Sequence, residues 1–233
     1  MNLNERSYKK ELLDRDDIPF DDIITNMKEL NFINTWLGGH QISIEGFQKL
    51  AGDNRVLTIC EIGCGGGDNL IALNKWCFHK SISASFIGID VKEPCIALGK
   101  MRTSLLLNTT WMVSDYRKVV FDKQPDIIFS SLFCHHFTNQ QLKDQLFWMK
   151  QNSRIGFFIN DLERNAVAYY LIKAFTFLFS SSYLVKNDAP LSVARGFTKE
   201  EWLRLLKSAN LPHCHVNWKW AFRHLVICKH SGQ

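Results

Sequence analysis

The apolar positions of the chain fall into two alternating rhythms. Val56 to Ile62 is a largely apolar run rich in β-branched residues, which predicts a buried strand of a parallel sheet. Glycines at positions 63, 65, 66 and 67 follow, and Asn69 to Trp76 resumes with helical spacing. The same alternation returns downstream. Ser85–Asp90 predicts a second strand, Pro94 to about Leu106 a helix, and Thr110–Val113 a third strand. Asp122–Ser131 supplies a fourth strand and Ile155–Ile159 a fifth. His215–Trp218 and Phe222–Cys228 read as two closing strands joined by a short turn. Strands alternating with helices imply a doubly wound α/β domain whose sheet is mostly parallel.

Two stretches stand outside that alternation. Before the first strand, Asp21–Phe32 carries a helical stripe at Ile23, Ile24, Met27 and Leu30, entered through Pro19. Asn34 to His40 should break that helix at its glycine pair, with His40 a surface or capping histidine. The second stretch, Asn165–Val185, is dense in aromatics: Tyr169, Tyr170, Phe175, Phe177, Phe179 and Tyr183. Ala166–Val185 is nearly long enough to span a bilayer, but Lys173 and Ser180–Ser182 would be costly there, so no stable membrane insertion is expected. A lid over residues 165–197, a core element or a dimer face would each use those aromatics. Lys186–Pro190 reads as a loop, and Thr198 with Glu201 forms a capping box opening a helix to Ser208.

Composition narrows this little. A chain of 233 residues, 46% hydrophobic and 22% charged, holds one α/β domain with additions. We divide it into a helical cap over residues 1–50 and a ligand-binding domain over 51–233. The net charge of +5 is spread along the chain and does not argue for nucleic acid. Seven cysteines without regular spacing point to reduced thiols and a cytoplasmic protein. No metal is expected, since His213, Cys214, His215 and His224 lack a second pair at zinc-site spacing.

The candidate chemistry gathers at the carboxyl ends of the strands. Gly63 and Gly65 open like a dinucleotide fingerprint, but its third small position is Asp68. With Glu61 upstream, this turn would repel a pyrophosphate and suits a ligand carrying positive charge, such as S-adenosylmethionine. Asp90, at the end of the second strand, is placed to accept both ribose hydroxyls. The ordered set Glu61–Gly67, Gly88–Asp90, Ser114–Asp115 and Asp126–Ser131 resembles the class I S-adenosylmethionine-dependent methyltransferases, over roughly residues 55–230.

That resemblance implies a Rossmann-like, mostly parallel seven-stranded sheet with an antiparallel C-terminal strand. It assigns cofactor binding to Glu61, Gly63, Cys64, Gly65, Gly67, Asn69, Asp90, Val91, Ser114, Asp115, Tyr116, Ser130 and Ser131, with Asp115 accepting from the adenine amino group. Trp36 either borders the cofactor or anchors the cap. His135 and His136 leave the fourth strand on the same edge as Asp161, beyond the fifth. A histidine with a carboxylate behind it suits deprotonation of a hydroxyl, as in the ubiquinone-methyltransferase-like and small-molecule O-methyltransferases. His136 is the first choice of base, with Asp161 orienting it. The expected function is methyl transfer to a small phenolic or lipophilic hydroxyl acceptor in secondary metabolism. The alternatives are a cofactor-binding partner protein without catalysis and a nicotinamide-dependent reductase. A homodimer is compatible with the sequence.

Overall fold

In the computed structural model, which describes residues 2–15, 17–102 and 108–230, a seven-stranded sheet forms the centre. The strands are β1 (Val56–Ile62), β2 (Ser83–Asp90), β3 (Thr109–Val113), β4 (Ile127–Ser131), β5 (Gly156–Leu162), β6 (His215–Lys219) and β7 (Arg223–Lys229). Their order is β3-β2-β1-β4-β5-β7-β6, with β7 antiparallel to both of its neighbours. The order reverses between β1 and β4, and a ligand crevice is expected at the carboxyl ends of strands flanking such a reversal. β1, β2 and β4 deliver Glu61, Asp90 and Ser131 to that edge.

The helices are α1 (Phe20–Trp36), α2 (Gly39–Ala51), α3 (Asp68–His79), α4 (Glu93–Met101), α5 (Asn139–Asn152), α6 (Ala166–Phe179), α7 (Tyr183–Arg195) and α8 (Lys199–Ser208). α2 and α3 bury Phe47, Leu50, Leu70 and Leu73 on one sheet face, against Phe86 and Phe158. α5 and α8 bury Leu142, Leu146, Trp202 and Leu206 on the other face, against Phe157 and Val226. Burial on both faces explains why the central strands read as apolar runs without alternation.

Several expectations change. The glycine pair separates two helices, α1 running four residues past Phe32 and α2 starting at Gly39. Lys186–Pro190 lies inside α7 and is not a loop. Ser182 caps that helix on the amide of Val185, and the Asp188 carboxylate accepts the amides of Leu12 and Leu13, so tertiary bonds hold a proline-containing helix. β5 extends to Leu162, placing Asp161 within the strand and opposite His224 of β7. The expected end of the fourth helix near Leu106 falls outside the described residues, and α4 runs to Met101. Cys214 and Cys228 form a disulfide, correcting the expectation of seven reduced thiols; the other five cysteines are free and buried.

Candidate active site

Gly63 and Gly65 adopt φ of +66° and +52°, which β-carbon-bearing residues rarely take. The turn they form is fastened to β2. The amide of Gly63 donates to the carbonyl of Ile89 at 2.8 Å, and the amide of Gly65 donates to Oδ2 of Asp90 at 2.9 Å. Oδ1 of Asp90 accepts the amide of Lys92 at 2.8 Å. A crevice lined by Gly63, Ile89, Asp90, Val91, Ser114, Tyr116 and Phe133 opens here. It is narrow, because a Cβ on Gly63 would overlap the ring of Phe133.

Beneath the turn, Glu61 is buried, and its Oε1 accepts from Nδ2 of Asn69 at 3.0 Å. Oε2 has no partner, and burial pushes the carboxyl well above its usual range. Burial also raises Asp90. A buried acid and a half-buried one beside an open-φ glycine turn fit a ligand bearing an ammonium and ribose hydroxyls. Oδ1 of Asn69 lies 3.0 Å from Nδ1 of His40, whose Nε2 lies 3.0 Å from Oδ1 of Asn31. His40 therefore ties α1 and α2 to the glycine turn, and is neither a surface nor a capping residue.

After β4, residues Cys134–His136 make a single 3₁₀ turn that carries both histidines. His135 is buried; its Nδ1 lies 2.7 Å from Oδ1 of Asp161, and its amide donates to Oδ2 at 3.2 Å. Nε2 of the same ring lies 3.5 Å from Oε1 of Glu11. Burial alone would lower this imidazole, but Asp161 and Glu11 outweigh it and hold the ring at about 9. The opposite holds for the acids. Burial would raise Glu11 and Asp161, and the neighbouring imidazoles keep both below the ordinary range.

His136 is 22% exposed and has a different carboxylate. Its Nδ1 lies 3.3 Å from Oδ1 of Asp14, and its Nε2 stands 3.7 Å from Oε2 of Glu11, beyond hydrogen-bond reach. The ring tilts against Phe133, the wall of the crevice. Burial would raise Asp14, but the bond and charge of His136, the amide of Glu11 and the charge of Arg195 together pull it down to about 2.

Two arginines fix the backbone of this turn. Arg195 donates from Nε to the carbonyl of His135 at 3.1 Å, and Arg6 donates to the carbonyl of Phe137 at 3.0 Å and to Oδ1 of Asn139 at 2.9 Å. Oε1 of Glu11 accepts from Ser192 of α7 at 2.7 Å. Arg223 is also buried nearby, with Nε and one terminal nitrogen unpaired; burial lowers it to about 10, with the Asp161 charge opposing. Among the described residues, Glu11, His135 and His136 place ligand-capable atoms within 4.8 Å of one another, a group that could hold a metal ion.

Residues 59–153 match the family model described as a methyltransferase domain. They span β1 from Ile59 through α5, and so include the glycine turn, Asp90 and the histidine turn. That segment is similar to a methyltransferase domain, and the order of its strands is compatible with one. Solved structures share its fold. The plantazolicin methyltransferase BpumL in complex with SAH is 16% identical over 88% of this chain and 89% of that one, with a TM-score of 0.68. A SAM-dependent methyltransferase from Aquifex aeolicus is 17% identical over 91% and 99%, with a TM-score of 0.61. An O-methyltransferase family protein from Burkholderia thailandensis is 13% identical over 87% and 59%, with a TM-score of 0.58. No curated protein matches the chain by sequence.

Of the positions expected to line the methyltransferase crevice, Gly63, Asp90, Val91, Ser114 and Tyr116 do so. Glu61 and Asn69 lie below the turn as a bonded pair, and Cys64 is buried beside it. Others are occupied differently. Gly67 caps α3 and receives the indole of Trp111, which would overlap a Cβ there and at Gly88 and Gly99. Asp68 pairs with Arg102, so its charge is not free to repel a pyrophosphate. Asp115 is held by Arg117, Nε donating to both carboxylate oxygens at 3.0 Å. Ser130 contacts Cys134 at 3.4 Å, and Ser131 accepts from Asn160 at 3.4 Å. Trp36 is 76% exposed and packs only on Phe32 among the described rings. The expected pairing of His136 with Asp161 is corrected: Asp161 holds His135, and Asp14 faces His136. Glu11, Asp14 and Arg6 lie in a polar stretch with no motif or periodicity to mark them.

Proposed function

We propose that the enzyme transfers a methyl group to the hydroxyl oxygen of a small phenolic or lipophilic acceptor of secondary metabolism, with His136 removing the hydroxyl proton. The carrying observation is that His136 is the partly exposed ring of the pair, stands against the crevice wall and has its own orienting carboxylate. An Nδ1–H donated to Asp14 leaves Nε2 as the basic nitrogen, the arrangement a general base requires. His135 is a positioning residue in this reading. Clamped between Asp161 and Glu11 and protonated near neutrality, it fixes the turn and cannot accept a proton.

Gly63, Gly65, Glu61, Asn69 and Asp90 would hold S-adenosylmethionine, with Asp90 accepting from the ribose and the unpaired Oε2 of Glu61 facing the amino group. The bound cofactor supplies an electrophilic methyl on a sulfonium, together with its own leaving group. The chain's residues then have two tasks, positioning the acceptor and taking its proton. Residues 1–50 act as a cap and 165–197 as a cover, because Glu11 and Asp14 come from the first and Ser192 and Arg195 from the second. Likeness to an O-methyltransferase family protein supports an oxygen acceptor, through the fold alone.

A labelled-methyl screen of phenols, quinols and fatty acids tests the reading. We expect label on a phenolic or lipophilic hydroxyl, and a His136→Ala variant that binds S-adenosylmethionine normally but turns over roughly 10²–10⁴-fold more slowly. Full activity in both His136→Ala and His135→Ala would overturn the base assignment. Label confined to nitrogen acceptors would overturn the substrate class.

A further inference from the structure

α6 is an apolar helix with almost nothing packed over it. Of its fourteen residues only Ala168 and Thr176 are buried. Tyr170, Leu178, Phe177 and Phe179 are 61%, 68%, 73% and 72% exposed. A helix this hydrophobic normally turns its apolar side to the core, and a contiguous exposed patch marks a surface that is covered in use. The helix is firmly placed. Asn165 caps its start on the amides of Val167 and Ala168, and its inner side rests on α7. Beyond its end, Glu29 of α1 accepts from the hydroxyls of Ser180 and Ser181 and from the amide of Ser182.

The ionic side chains of this stretch are lysines. Lys173 and Lys186 line a groove of about 380 Å³ together with Tyr170, Ala174 and Phe177. No Asp or Glu occurs between Glu163 and Asp188. The Asp188 carboxylate is itself buried, holding the amides of Leu12 and Leu13. An aromatic face edged by lysines has the chemistry of an interfacial helix, whose rings enter the acyl boundary while the lysine stems reach up to phosphates. With fourteen residues, about 21 Å of helix, α6 is too short to cross a bilayer, and no described helix is long and apolar enough to do so. It fits lying flat.

We propose that the α6 face docks the enzyme on an anionic lipid surface. A second copy of the chain fits less well. Two-fold pairing along α6 would set Lys173 and Lys186 of both copies together with no exposed carboxylate of α6 or α7 to offset them, whereas an anionic bilayer supplies the missing charge. Docking here also sets the active site beside the membrane. Asn165 follows Asp161 by four residues, and α7 carries Arg195, which donates to the carbonyl of His135. Docking through this face would hold whichever acceptor is methylated.

Co-sedimentation of the full chain with vesicles of phosphatidylcholine, alone or mixed with phosphatidylserine, tests it. We expect binding to the mixed vesicles only, weakening as salt is raised. Lys173→Ala and Lys186→Ala should each weaken partition roughly 5-fold. The Phe177→Asp/Phe179→Asp double variant should lose binding while keeping its melting temperature and its affinity for S-adenosylmethionine. No binding to mixed vesicles, or binding indifferent to these substitutions, would overturn the proposal. So would a dimer in light scattering that Phe177→Asp dissolves, since the face would then belong to a second copy.

Discussion

Nδ1 of His135 lies 2.7 Å from Oδ1 of Asp161, and solvent reaches neither side chain. A buried imidazolium and carboxylate at that distance stabilise each other's charge, and Glu11 adds a second acid on the far side of the ring. The ring is held at about 9, above its unfolded value of 6.5. Its contribution to stability, on the order of 3 kcal/mol from that shift, is fully present below about pH 6.5 and is lost as pH rises through about 9. Melting temperature measured from pH 6 to 10 should therefore fall toward the alkaline end. His135→Gln should lower stability near pH 6 and flatten that limb, and an unchanged limb would mean that the ring is neutral in the folded protein.

The acids bring a limb of the opposite sign. Asp14 is drawn to about 2 by His136, and Asp161 and Glu11 also lie below their ordinary values. A depressed carboxylate contributes stability that is present above its unfolded value and lost as pH falls through its folded value. Asp14→Asn should raise the pH dependence at neither extreme but remove part of the loss below about pH 4, by the same linkage. It should also lower kcat about 10-fold, less than His136→Ala, because the ring keeps its nitrogen and loses only its orientation. Thermal melts at pH 3–5 and kcat at pH 7 check the two effects separately. An Asp14→Asn variant with unaltered kcat would leave His136 without an orienting partner.

The cofactor side has its own test. Asp90 accepts the amides of Gly65 and Lys92 and faces the crevice. Asp90→Ala should weaken S-adenosylmethionine binding by about 2–4 kcal/mol, since it removes a half-buried carboxylate acceptor and releases the glycine turn. Calorimetry with S-adenosylmethionine and with NADH measures this directly. Binding unaffected by the substitution would move the ribose away from Asp90.

How much of this was legible follows from the range of the interactions involved. The glycine turn and the acids Glu61 and Asp90 are local features, set by a strand, a turn and a helix within about forty residues, and they could be read from the order of residues alone. The histidine site could not. Glu11, Asp14 and Arg6 lie in a polar stretch without periodicity, and Arg6 reaches residues more than 120 positions away. α7 was hidden by Asn187, Asp188 and Pro190, which favour turns locally; Asp188 is instead used to bind Leu12 and Leu13. Asp161 lies in β5, and the rings of His135 and His136 stand only 4.4 Å apart, so which of them meets it depends on the 3₁₀ turn at Cys134–His136. The Cys214–Cys228 pairing likewise depends on the register of β6 against β7.

Gly63 and Phe133 supply a final prediction, because two separable costs meet at one position. Gly63 has φ of +66°, and a Cβ placed there would overlap the Phe133 ring. Gly63→Ala should cost about 1–2 kcal/mol for the left-handed backbone and more for the overlap. Phe133→Ala opens space over the turn, but it removes ring contacts with Tyr116 and Phe137 and lowers stability by about 3–5 kcal/mol if the cavity does not collapse. In the double variant the overlap disappears while the backbone cost stays. The two substitutions should then be less damaging together than the sum of each alone, with a coupling of about 0.5–3 kcal/mol. Urea denaturation of the four proteins measures that coupling. S-adenosylmethionine affinity should recover in the double variant relative to Gly63→Ala, since the ring no longer has to be displaced by both a methyl group and the cofactor. Strict additivity would show that Phe133 moves freely away from Gly63 and does not set the width of the crevice.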